Sequence, residues 1–170
     1  PAGAGRVAAI GAFAEAWAQE DGPGAYRWAF VLPQGGARTA ALHNVWFVWC
    51  HQDPAAAATH LVDLPPGNEK NAVITNIAGD WATADPSAAT AWASGLSEGL
   101  EKEAALSTVA EAWADRAPAA AGKFTLRISD PATRQLAVAG VAERWATQKP
   151  ESAAHWLIAD VAADDRAMAI

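Results

Sequence analysis

The chain has 170 residues, 52% of them hydrophobic, with a net charge of −7 and a single cysteine. The acidic balance disfavours nucleic acid, whose phosphates require a basic stripe, and no run approaches the ~20 apolar residues needed to cross a bilayer. One cysteine, Cys50, excludes an intrachain disulfide and a cysteine-based zinc cluster.

Taken in order, the chain announces a period. Trp17-Ala18 is followed by Trp49-Cys50, Trp81-Ala82, Trp113-Ala114 and Trp145-Ala146, each 32 residues after the last. Such a fixed spacing is the mark of a repeat array. Just after each tryptophan comes a helix start. Asp21-Gly22, Asp53-Pro54 and Asp85-Pro86 place a capping carboxylate before a first helical turn, and Ala117-Pro118 and Lys149-Pro150 keep the proline. Alanine-rich runs such as Ala55 to Ala58 then carry a short helix. Eleven residues past the tryptophan stands a second ring or its substitute: Trp28, His60, Trp92, Phe124 and Trp156. Leu32, Leu64, Leu96 and Ile128 follow one turn later. Pro33, Pro65 and the glycines Gly35, Gly67 and Gly99 end that helix and make a turn, while the fourth unit turns through Ser129-Asp130-Pro131.

A longer helix, roughly 16 residues, is expected from there to the next tryptophan. Its apolar stripe reads Ile10, Phe13, Ala14, Trp17, then Ile74, Ile77, Ala78, Trp81, then Leu106, Val109, Ala110, Trp113, and Val138, Val141, Ala142, Trp145. A spacing of i, i+3, i+4, i+7 belongs to an amphipathic helix and not to a strand. The tryptophans Trp17, Trp49, Trp81, Trp113 and Trp145 end these stripes and are expected to be structural core, wedged where one helix pair meets the next.

Residues 1–170 thus read as one repeat array: a partial unit at 1–20, full units at 21–52, 53–84, 85–116 and 117–148, and a partial unit at 149–170. The expected fold is all-α, a right-handed-type α-solenoid of antiparallel helix pairs with about five 32-residue repeats. In general architecture it resembles tetratricopeptide-like and Sel1-like solenoids. The unit Trp-Ala, Asp-Pro, ring, Leu-Pro-X-Gly resembles tryptophan-rich repeats of long, mostly uncharacterised bacterial proteins. That resemblance implies an architecture and no particular activity. Both ends fall at the same phase of the repeat and carry no polar cap, so a piece of a longer array is expected. No signal-peptide pattern opens the chain; a signal lying upstream would make it secreted or cell-surface.

Three groups of residues could meet a partner. A basic residue recurs at one phase: Arg6, Arg38, Lys70, Lys102, Arg134 and Arg166. It falls in the first turn of each long helix, where the helix dipole disfavours a cation, so it is expected to pair with an adjacent turn or lie over a ring; a cationic groove is the alternative. In the second unit His43, Phe47, Val48 and His51 break the polar pattern of the outward positions and mark a candidate contact face. His43 and His51 stand about 12 Å apart along a helix, too far to share an ion, and no set of convergent metal ligands occurs. Cys50 fills a small-residue slot, and its neighbour His51 diverges by about 100° around the helix. No nucleophile elbow, phosphate loop or dinucleotide fingerprint is present.

The sequence therefore points to a non-enzymatic scaffold without cofactor or metal, whose partner is another protein or further copies of itself. End-to-end stacking into a filament or surface assembly is the alternative, and a glycan-binding surface is a third reading resting only on the abundance of rings.

Overall fold

The computed structural model describes residues 2–161, which form ten α-helices and no strand. Five are short and follow the Asp-Pro phase: α2 (Gly22–Phe30), α4 (Pro54–Ala58), α6 (Pro86–Gly95), α8 (Pro118–Thr125) and α10 (Pro150–Trp156). Five are longer: α1 (Ala2–Glu20), α3 (Gly36–Gln52), α5 (Asn68–Ala84), α7 (Leu100–Ala114) and α9 (Pro131–Gln148). A 3-10 turn at Leu61–Asp63 extends α4, and a π turn at Leu157–Val161 follows α10. Residue 166, and with it Arg166 of the basic series, lies outside the described residues.

Each junction from long to short helix is built the same way. The tryptophan carbonyl accepts a backbone bond from the residue four places on: Asp21 at 2.9 Å, Asp53 at 2.9 Å, Asp85 at 2.7 Å, Ala117 at 3.0 Å and Lys149 at 2.8 Å. That receiving residue then leaves the helix with φ near −145° in every case. Where it is aspartate, its carboxylate also caps the next helix, accepting from the amides of Gly24 at 2.9 Å, Ala56 at 2.9 Å, and both Ser87 and Ala88 at 3.0 Å. Ala117 and Lys149 hold the same bend without a side-chain cap. The bend is thus a property of the backbone and the proline, and the aspartate adds roughly 1 kcal/mol where it occurs.

At the other turn Gly35, Gly67 and Gly99 take φ of 144°, 148° and 129°, a region that a side chain disfavours. The turn before α9 uses Asp130 instead, which caps that helix through the amide and the hydroxyl of Thr133, both at 2.7 Å.

The chain divides into two compact units, Pro1–Ile77 and Ala78–Ile170, with the division inside α5. In the first, α1 packs along α3, α2 packs against both, and α4 lies on α3. In the second, α7 packs along α9, α8 lies against both, α6 packs on α7 and α10 on α9. Long helix therefore lies on long helix within each unit. The stripes fill the cores: Ala41, Leu42 and Val45 in the first, and Ala105, Leu106, Val109, Ala137 and Val141 in the second, are all buried. Phe13 departs from its stripe. It is 53% exposed, whereas Val45, Ile77, Val109 and Val141 at the same phase are fully buried.

The bonds from Thr133 hold the Asp130 carboxyl below its ordinary 3.8. The folded state favours the ionised form, so this contribution is complete above the unfolded pKa and is lost as pH falls through the folded one. In thermal melts taken from pH 6 down to 2, the wild type is expected to lose Tm below about pH 4. Asp130→Asn keeps a capping oxygen without the titration, so its Tm falls by less over the same range.

Candidate contact surface and the ring pairs

Every tryptophan of the periodic series lies against the ring eleven residues on. Centroids are separated by 5.8 Å for Trp17–Trp28, 5.2 Å for Trp49–His60, 5.8 Å for Trp81–Trp92, 6.0 Å for Trp113–Phe124 and 5.5 Å for Trp145–Trp156. Each pair joins the end of a long helix to the end of the next short one, a tilted contact worth about 0.5 to 1.5 kcal/mol beyond the area it buries. The series is not uniformly core. Trp49 and Trp145 are 2% and 9% exposed, whereas Trp17, Trp81 and Trp113 are only half-buried.

The first unit thickens this contact into a cluster. Tyr26 lies 5.0 Å from Trp46, 5.8 Å from Trp49 and 5.3 Å from His60, and Trp46 stacks on Trp49 at 5.6 Å. His60 takes the ring position and also reaches Asp63, its Nδ1 standing 3.1 Å from the carboxylate. The Tyr26 hydroxyl donates to the same carboxylate at 3.5 Å. Burial, and then the Asp63 charge, push the Tyr26 phenol well above its ordinary range. The cluster closes so tightly that a Cβ on Gly22 would stand 2.7 Å from the Trp49 indole.

Three members of the basic series are tied into turns. Arg38 donates to the Leu32 carbonyl at 3.4 Å and its guanidinium lies 4.8 Å from the Phe30 ring centroid. Arg134 is buried and donates to the Ile128 carbonyl at 2.6 Å, the same reach of six residues. Lys102 instead takes Glu98 at 2.7 Å. Arg38 and Arg134 stand at the start of a long helix, but each closes a carbonyl just beyond the end of the short one, where a positive charge is favoured. Lys70 is half-buried and Arg6 is exposed.

A second polar series was not legible in advance. Gln52 donates to the Gln19 carbonyl at 3.2 Å and to its side-chain oxygen at 2.9 Å. Arg116 donates to the Thr83 carbonyl, and Gln148 to those of Ala114 at 3.3 Å and Asp115 at 3.2 Å. Each is a long side chain three residues after a periodic tryptophan, binding the C-terminal carbonyls of the preceding long helix. The signal was there in Gln52, Arg116 and Gln148 sharing one phase, but Glu20 and Ala84 at that phase obscure it.

The candidate face on α3 needs one correction. Val48 is buried, at 4% exposure, and so is Trp46 beside it. Val48 continues the row of Val45, and α3 is covered by α1, α2 and α4, so its buried arc is far wider than one stripe. What stays outside includes one row at one-turn spacing, Thr39, His43, Phe47 and His51, all exposed. Phe47 is its apolar member and is 64% exposed.

Comparison with protein-family models, with curated proteins and with solved structures found no match. Among the described residues no group of three histidine, cysteine or acidic side chains could hold a metal ion.

Because Trp49 is enclosed and Trp113 is half open, the two should differ on truncation. Trp49→Ala is expected to cost about 3 to 5 kcal/mol and Trp113→Ala about half of that. Urea unfolding of the two variants checks the order. Equal losses would show that the ring pairs, and not their burial, set the cost.

Proposed function

We propose that the protein is a non-enzymatic α-solenoid scaffold of antiparallel helix pairs, about five 32-residue units, that binds protein partners along an extended surface. The observation that carries this reading is the exposed row on α3. A phenylalanine held 64% exposed between two histidines, on a helix whose other large apolar side chains are buried, exposes apolar area that the fold makes no use of. Such an isolated ring on a rigid helix suits the anchor of a protein interface. The 32-residue recurrence of caps and ring pairs supports the stacked architecture, since each unit then buries its apolar face on its neighbours.

End-to-end stacking of copies is the second reading. Phe13 supports it: this position is covered in four other units and open on α1. A glycan-binding surface has no comparable support, because the periodic rings are engaged with one another.

A photo-crosslinking residue placed at position 47 in cells tests the first reading. Adducts with other proteins are expected, and Phe47→Glu should weaken the captured interaction at least tenfold while leaving the circular dichroism unchanged. Adducts formed only between copies of the chain would transfer support to stacking, as would a mass that grows with concentration in light scattering. Loss of the fold in Phe47→Glu would make the row internal and overturn the scaffold reading.

A further inference from the structure

Beside the Trp113–Phe124 ring pair lies an open cleft of about 370 Å³, within the range of small-ligand sites. Its walls come from three elements: Thr90 on α6, Trp113 at the end of α7, and Lys123, Phe124 and Arg127 on or just after α8. The tilted pair Trp113–Phe124, with 6.0 Å between centroids, forms its apolar side. Lys123 and Arg127 stand one turn apart, both exposed. Among the described residues neither has a carboxylate partner or lies over a ring. No acidic residue lines the cleft.

These two cations differ from the periodic ones. Arg38 and Arg134 recur because they close a turn. Lys123 and Arg127 occur together only here: the matching pairs are Arg27 and Val31, Thr59 and Asp63, Ala91 and Gly95, and His155 and Ala159. A corresponding cleft of about 360 Å³ beside Trp145–Trp156 is bordered by Glu151, His155 and Asp160, so the ring pair is kept while the charge around it changes. A pair of unpaired cations in a chain of net charge −7 is therefore a local choice of this unit. Thr90 adds a further element. Its hydroxyl is buried and has no hydrogen-bond partner, so rotation about its side-chain bond toward a guest costs it no bond.

We propose that this cleft binds a carboxylate carried on an apolar or aromatic group. Arg127, a planar bidentate donor, and Lys123 take the carboxylate. The Trp113 and Phe124 rings pack the apolar part, and Thr90 donates from the α6 side. An acidic side chain next to a phenylalanine in a peptide has this chemistry, and so does a free aromatic acid. The inference goes beyond the scaffold reading and does not depend on the α3 row.

Calorimetric titration of the purified chain tests it, with two probes: phenylacetate, and the capped peptide Glu-Phe-Asp-Phe-Glu. Phenylacetamide and the matching Gln/Asn peptide serve as neutral controls. The acids should bind and the neutral compounds should not, with affinity falling as salt rises. Lys123→Glu/Arg127→Glu should weaken binding at least tenfold, and Thr90→Val two- to fivefold, with Tm unchanged in both. Perturbation of the Trp113 indole N–H resonance should accompany binding. Phenylacetate binding as tightly as the peptide identifies a free acid as the source, and a tighter peptide identifies an acidic segment. Failure of both acids to bind, or binding that the charge reversal leaves intact, overturns the proposal. The crosslinking at position 47 reads out separately, so either idea can fall alone.

Discussion

The structure depends on one contact made five times: an indole at the end of a long helix laid against the ring that ends the next short helix. The same tryptophan also gives its backbone carbonyl to the residue that bends the chain. Side chain and main chain thus fix one junction from two directions. The bend sets where the short helix starts, and the ring contact sets the angle at which it returns. Once both are set, the alanines Ala25, Ala57, Ala89, Ala121 and Ala153 at the middle of each short helix come to lie buried at one phase. Their small volume suits the packing of these short helices on the long ones. The variation tolerated at the second ring, from tryptophan to phenylalanine to histidine, shows that a flat apolar face is needed there and a particular ring is not.

Around that contact, polar side chains act as fasteners between helix ends. Helix termini leave carbonyls without partners, and this chain meets the need with long donors from elsewhere. Arg38 and Arg134 reach back across a turn, while Gln52, Arg116 and Gln148 reach to the preceding long helix. A cation that the dipole of its own helix disfavours is thereby offset by the opposite end of another helix. Specific bonds of this kind fix the position of helix ends where alanine-rich surfaces would leave sliding cheap.

Much of the fold was readable because helix starts and stripes are local signals. Asp53-Pro54 and Asp85-Pro86 begin α4 and α6 as their types demand, and Asp130-Pro131 begins α9. What a stripe cannot report is how many neighbours a helix has. Val48 sits 100° from Phe47, outside the stripe, yet is buried because α3 is enclosed by three helices. Phe13 sits inside its stripe yet is exposed, although the rings of Trp17 and Trp28 meet it edge-on. The half-exposure of Trp81 and Trp113 has the same origin: period locates a side chain on a face, and only packing decides how much of it is covered. The cleft at Lys123 and Arg127 was hidden for a different reason. It draws on helices two apart in the chain, and its cations are conspicuous only once the periodic ones have been given partners.

The two bends without an aspartate have a consequence in time as well as in space. At Ala117 and Lys149 the backbone takes the capped conformation, but the amides of the first helical turn receive no side-chain acceptor. In α2, α4 and α6 those amides are held by a carboxylate. Among the short helices, exchange with solvent should therefore be fastest at the first turns of α8 and α10. Junctions that look alike at rest would then open unevenly, the later short helices breathing before the earlier ones.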